Sequence, residues 1–360
     1  MKTYKAALIG CSRMGAFIDN EVPSSYYPYS HAAGYEASTR TTLVACSDLR
    51  TDVMAQVGKR FGIPEKSQYT DYKEMMEIEK PDIVSVATQP EPRSEIVNYV
   101  ASHGAKAIYA EKAMAASMAE ADSMVETCEK YDVLFNLGTN RRWDRGFDIM
   151  KDIIDSGELG PLKSLTIYET SSLFNGASHS LDLIMRLNSD HPASWVQGLL
   201  RDSDDNIENN RITIDPVGEG IIQFENGVTG YALNTGRRSE WEAVCENGVI
   251  TALGNGSNWK IRRPGDRDHR DRTQLVEGSF PEYEWKSSTL SLIEDLANSL
   301  DTGEPTRCGP RIARASTELI FGIIESHING GKRVNLPLQN STIRLERGIP
   351  SKQPRFERQD

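Results

Sequence analysis

The chain has 360 residues, of which 38% are hydrophobic and 26% charged, and its formal net charge is −11. That length is too great for one ordinary core and suits two domains, while the acidic balance argues against a phosphate-binding face and so against nucleic acid as a partner. No apolar run approaches the ~18 residues that cross a bilayer, and the N-terminus, MKTYKAALIG, passes into a strand without a signal-like apolar region.

No membrane partner is therefore expected. Cys11, Cys46, Cys128, Cys245 and Cys308 are odd in number, scattered and never in CxxC spacing. That pattern predicts neither a disulfide framework nor a structural metal site, and it points to a reducing cytoplasm.

In chain order, 5–10 is a short apolar run ending in glycine, and CSRMGAFI reads as a turn entering a helix. Residues 17–30 (FIDNEVPSSYYPYS) read as an insertion whose tyrosines either cover a ligand or pack locally. Strands follow at 43–48, 82–88, 107–112 and 133–138, with helices at 52–61, 94–104 and 117–132 between them. Short β-branched runs alternating with helices imply a parallel, doubly wound sheet with right-handed crossovers. Past about residue 140 the texture changes. A helix at 147–156 precedes longer alternating segments, with hairpins at Glu225-Asn226-Gly227 and Glu246-Asn247-Gly248 and helices near 287–302 and 311–329. The fold class is thus α/β: an N-terminal doubly wound parallel sheet plus a C-terminal α+β domain with a large, mainly antiparallel open sheet. The divisions expected are 1–124, 125–345 and a tail, 346–360. The basic residues of that tail and of 262–272 read as solvated.

The strongest local signal is Gly10-Cys11-Ser12-Arg13-Met14-Gly15, at a strand end and opening a helix. That is the context of the Rossmann dinucleotide fingerprint. Gly10 permits the tight turn, Gly15 the close approach of helix to strand, and the helix start offers N–H groups to a pyrophosphate. Ser12 stands in place of the middle glycine; its small side chain still admits a diphosphate. Asp48 ends the second strand. Its carboxylate either accepts from the adenosine ribose hydroxyls, excluding a 2′-phosphate and selecting NAD, or serves as a helix N-terminal carboxylate.

The layout resembles the Gfo/Idh/MocA family of sugar and polyol dehydrogenases over nearly the whole chain. The resemblance is carried in order by GCSRMG, His31-Ala32, ACSD, Ala87-Thr88-Gln89-Pro90, Ala110-Glu111-Lys112-Ala113, NRRWD at 140–144 and NGASHSLD at 175–182. It departs from the family at Ala113, where the family has proline, and at Asn175, where many members carry a catalytic Asp. The resemblance implies a cofactor site of Gly10, Ser12, Arg13, Met14, Gly15, Asp48, Thr88, Gln89, Glu111 and Lys112. It implies a substrate site of Lys112, Arg141, Trp143, Asn175 and His179, although Arg141, Arg142 and Trp143 would equally hold domains together. Lys112, just past a parallel strand's carboxyl end, is placed to stabilise a developing alkoxide. His179, with Asp182 one turn on, reads as the general base; Asn175 orients a hydroxyl but takes no proton. The function implied is NAD-dependent oxidation of a secondary hydroxyl on a sugar, glycoside or cyclic polyol by a homodimer or homotetramer. Two alternatives are a redox-neutral, NAD-dependent glycosidase and a catalytically silent NAD-binding regulatory protein.

Overall fold

The computed structural model describes residues 2–168, 171–201, 207–348 and 353–358. The chain divides into two compact units, one of Met1–Trp143, Lys286–Arg314 and Glu346–Asp360, the other of Asp144–Trp285 and Ala315–Leu345.

The first unit contains β1 (Tyr4–Ile9), α1 (His31–Ala37), β2 (Thr41–Ser47), α2 (Thr51–Phe61), β3 (Gln68–Tyr69), α3 (Tyr72–Glu79), β4 (Ile83–Val86), α4 (Pro90–Ser102), β5 (Ala107–Ala110), α5 (Met118–Lys130) and β6 (Leu134–Leu137). All six strands pair in parallel in the order β3-β2-β1-β4-β5-β6. β4 and β5 are buried throughout, as expected of a sheet covered on both faces. The order reverses between β1 and β4, which is where a doubly wound sheet opens its ligand crevice.

One expected element differs. After β1 the chain makes a wide helical turn (Arg13–Phe17) and two 3₁₀ turns (Ile18–Asn20 and Ser24–Tyr26), and the regular helix begins at His31. The cause lies in the inserted loop. Pro23 and Pro28 lack the N–H that a continuing helix needs. The buried carboxylate of Asp19 accepts from the N–H groups of Tyr29 and Ser30 at 2.8 and 3.2 Å. Ser30 then caps the new helix, its Oγ accepting from Ala33 N–H at 3.2 Å.

In the second unit, α6 (Arg145–Ser156), β7 (Leu162–Ile167), α7 (Ser178–Leu187), β8 (Ala193–Arg201), β9 (Ile207–Glu208), β10 (Arg211–Ile212), β11 (Val217–Phe224), β12 (Thr229–Ala232), β13 (Trp241–Cys245), β14 (Gly248–Leu253), β15 (Asn258–Arg267) and β16 (Thr273–Gly278) follow one another. The chain then returns to the first unit with α8 (Ser288–Thr302). α9 (Pro310–Ile328), β17 (Val334–Asn335) and β18 (Arg344–Leu345) follow. Nine strands form one sheet, β16-β15-β14-β13-β7-β12-β11-β8-β17, in which only β7 and β12 pair in parallel. The hairpins fall at Asn226-Gly227 and Asn247, as the Asn-Gly dipeptides predict. Residues 169–170, at the end of the strand read from LTIYET, lie outside the described residues.

One face of this sheet is covered by helices and the other is open, so β8 alternates buried and exposed along its second half. Gly198 lets α9 close on the covered face: a Cβ there would lie 2.9 Å from Ile323 Cγ2. The basic stretch 262–272 is not a loose loop but the end of β15 and the turn that leads to β16, with Arg272 paired to Asp268 at 2.7 Å. Among the described residues, no helix is long and apolar enough to cross a membrane.

Candidate active site

The dinucleotide fingerprint is a steric object in this fold. Gly10 has φ +91°, and a Cβ on it would lie 2.9 Å from both C and O of Ala87. At Gly15 a Cβ would fall 2.0 Å from Gly10 O, a distance no substituent survives. Two loops and a helical turn therefore meet at the carboxyl ends of β1 and β4 with no side chain between them. The small residue at Ser12 and the two glycines leave backbone, not side chains, facing the crevice, which is what a pyrophosphate requires.

Asp48 stands at the end of β2 and does two things at once. One oxygen accepts from Cys11 N–H at 2.7 Å and the other from Arg50 N–H at 2.9 Å. The carboxylate thus braces the glycine turn against the turn that leads into α2. Each oxygen retains acceptor capacity for a ribose hydroxyl. At the end of β4, Thr88 Oγ1 is buried without a hydrogen-bond partner, an acceptor and donor left over at the rim of the same crevice. Gly10, Gly15, Asp48 and Thr88 together fit a dinucleotide. Gln89, next in the chain, is exposed.

Lys112 follows β5, and the peptide joining it to Ala113 is cis. Beneath it runs a buried polar chain. Glu111, 5% exposed, meets His31 Nε2 through Oε1 at 3.2 Å and accepts from Lys112 N–H through Oε2 at 3.2 Å. His31 Nδ1 lies 2.9 Å from Ser85 Oγ, and Tyr35 OH lies 2.8 Å from the same oxygen. The imidazole stacks on Tyr109 with centroids 3.7 Å apart. Burial acts to raise the Glu111 pKa, but the hydrogen bond and charge of His31, with Lys112 and Arg93, hold it below the ordinary carboxylate value. An ionised carboxylate only accepts, so the proton sits on His31 Nε2.

Arg93 completes this arrangement. It is 1% exposed, and its two terminal nitrogens donate to Thr88 O and Ala113 O. One guanidinium thereby ties the loop after β4 to the loop after Lys112. Burial lowers its pKa to about 10, with Glu111 opposing.

Asp19, His31, Ser85 and Arg93 were not singled out as functional in the sequence. His31 entered only as a landmark. The available signal was polarity in the wrong place: Ser85 interrupts a buried strand, and Arg93 lies on the inward face of α4.

Arg141, Arg142 and Trp143 form a 3₁₀ turn after β6. Arg142 and Trp143 are buried, and Arg142 donates to Arg307 O at 3.2 Å, while Arg141 is partly exposed. Tyr29 of the inserted loop is mostly buried. Burial raises its pKa, with Arg141 lowering it and Glu111 raising it, so the loop's tyrosine lies within the field of both. In the second unit, Asn175 is exposed on the turn Leu173–Ala177, and its backbone oxygen accepts from Ser178 Oγ at 2.6 Å. That turn leads directly into α7, which carries His179, partly exposed, and Asp182, fully buried.

Residues 5–139 match the model of a family described as an oxidoreductase family with an NAD-binding Rossmann fold, Gfo/Idh/MocA. Over those residues the chain is similar to the Gfo/Idh/MocA family. D-apiose dehydrogenase of Rhizobium rhizogenes is 29% identical over 351 residues, which is 92% of this chain and 97% of that protein. Myo-inositol 2-dehydrogenase of Thermotoga maritima is 32% identical over 130 residues, covering 36% of this chain and only 38% of the relative. Among solved structures, levoglucosan dehydrogenase in complex with NADH and levoglucosan superposes with a TM-score of 0.72 at 17% identity, over 94% of this chain and 100% of that one. At that identity the likeness speaks to the fold alone, over nearly the full length. The glycine turn, Asp48 and Thr88 all lie within the stretch that matches the NAD-binding Rossmann fold.

Proposed function

We propose that this protein oxidises a secondary hydroxyl of a sugar, glycoside or cyclic polyol, using NAD. The observation that carries the reading is the placement of Lys112. A cation at the carboxyl end of β5, on the strand neighbouring the crevice, has its backbone pinned by Glu111, and Glu111 is in turn held by His31. A lysine serving only the surface has no need of a buried polar chain beneath its peptide group. The similar D-apiose, inositol and levoglucosan dehydrogenases support the substrate class.

NAD, held by the glycine turn with Asp48 and Thr88, would supply the hydride acceptor for the carbinol carbon. Lys112 donates to the reacting oxygen and stabilises the charge that develops as the hydride leaves. His179 takes the hydroxyl proton, and Asp182 on the same helix supports its ring. Asn175 orients a neighbouring hydroxyl; as an amide it accepts no proton. Arg141 and Trp143 are the further residues assigned to substrate. Homodimer or homotetramer assembly and a cytoplasmic location belong to the same proposal.

Asn175 is also the observation that favours a second reading, cleavage of a glycoside with transient oxidation and re-reduction. The test incubates sugars, polyols and aryl glycosides with limiting NAD and follows NADH and free aglycone together. Net oxidation predicts NADH formed in step with product. Many aglycones released per NAD, without lasting NADH, would move the assignment to the glycosidase. No turnover of any substrate despite tight NADH binding would favour a regulatory role.

A further inference from the structure

The tail was read from the sequence as solvated, and the structure differs: its described residues dock on the first unit, to which they belong. Arg347, with its side chain 10% exposed, donates from Nε to Glu91 at 3.1 Å and from a terminal nitrogen to Gln89 Oε1 at 3.1 Å. Its backbone N–H also donates to Glu91 at 3.2 Å. Further on, Gln353 accepts from Arg50, whose guanidinium also bonds Asp52 at 3.0 Å. Pro354 is buried. The ring of Phe356 packs edge-on against Phe17, 5.0 Å between centroids, and joins the core cluster that includes Leu8, Cys11 and Ala16. Asn20 donates to Arg355 O at 2.7 Å, and Arg358 donates to Val22 O.

These contacts fall on the segments that follow three strands. Gln89 and Glu91 follow β4, Arg50 follows β2, and Phe17, Asn20 and Val22 follow β1. Since β1 lies between β2 and β4, these are the loops at the switch point that wall the ligand crevice. Asp48, two residues before Arg50, assigns the β2 side of that crevice to the adenosine ribose. A tail serving only to cover apolar surface needs Phe356 and Pro354. It does not need charged or amide side chains aimed at the rims of two different loops.

We propose that the stretches 346–348 and 353–358 form a strap belonging to the dinucleotide site, which ties the loops walling the adenosine end and so retains the cofactor. Departure of the adenosine requires those walls to part, and the strap opposes that motion from both sides. The inference rests on the dinucleotide reading of this unit.

The test compares the unmodified protein with the double variant Arg347→Ala/Gln353→Ala and with Phe356→Ala. NADH dissociation is followed by stopped-flow fluorescence, and reduced nicotinamide mononucleotide, which lacks the adenosine, serves as the second probe. Removing the hooks is expected to speed NADH release about tenfold, the equivalent of one charged hydrogen bond, without weakening the mononucleotide. The thermal midpoint of the protein without cofactor is measured alongside. Unchanged or slower NADH release in both variants, with or without a lowered midpoint, overturns the strap and leaves a structural tail. Equal weakening of both probes overturns it as well. Failure of the unmodified protein to bind NADH would instead overturn the cofactor reading, a separate and visible outcome.

Discussion

Replacing His31 with leucine should expose the cost of the buried polar chain under Lys112. Glu111 is 5% exposed and His31 fully buried, so the substitution removes a partner from an ion that has no water to replace it. Breaking one side of a buried pair typically costs 3–5 kcal/mol. The remaining Lys112 N–H bond and the nearby charge of Arg93 place the expected loss at the low end, about 3 kcal/mol. The pH dependence gives a sharper signature. In the unmodified protein the folded Glu111 pKa lies below its ordinary value, so its stabilisation is present above the unfolded carboxylate pKa and is lost as pH falls through the folded one. Without His31, burial acts with less opposition and raises the folded pKa, so the sign reverses. The deficit of His31→Leu should grow from pH 5 to pH 8, and adding Glu111→Gln should remove most of that growth. Urea unfolding followed by circular dichroism, on both single variants and the double, measures it. Loss of less than about 1 kcal/mol, or strict additivity of the two substitutions at every pH, would refute the assigned coupling.

Asp48→Ala should weaken NADH by roughly tenfold, since it removes an acceptor for the ribose and also for Cys11 N–H, and should narrow the preference over NADPH. Tighter binding of NADPH than NADH by the unmodified protein contradicts the role given to this carboxylate. Lys112→Ala and His179→Ala should fold, bind NADH, and lose ~10²–10⁴-fold in turnover. Full turnover by His179→Ala would move the base elsewhere.

The first sheet was legible because its signals are local and repeated: β1, β2, β4, β5 and β6 are short apolar runs, and the helices between them have their own apolar faces. The brief β3 and α3 were missed, since two residues cannot show a period and half of Tyr72–Glu79 is Lys or Glu. The cofactor turn was legible because steric need writes glycine into the sequence at Gly10 and Gly15. The polar chain was not. His31, Ser85 and Glu111 are 54 and 26 residues apart along the chain, and only the parallel order of the sheet brings them together. The tail was misread for a related reason. Arg347, Arg355 and Arg358 look like a solvated basic terminus, and Phe356 alone hints at docking.

The structure also bears on which groups remain to act as base. Two tyrosines that could stand in for His179 as base, Tyr27 and Tyr168, are each bonded to a carboxylate. Tyr27 OH donates to Glu36 at 2.7 Å and Tyr168 OH donates to Glu242 at 2.9 Å. Burial, then the carboxylate partner, raises each phenol's pKa above its ordinary value; for Tyr168 the Arg237 cation over its ring opposes this without reversing it. A phenol beside a carboxylate must create a second negative charge to lose its proton, so neither is a base at neutral pH. With Asn175 unable to accept a proton, the reading places proton removal on His179 alone. The pH profile of kcat/KM should then rise through a single histidine-like ionisation. Persistence of that limb in His179→Ala would mean that a different group had been carrying the proton.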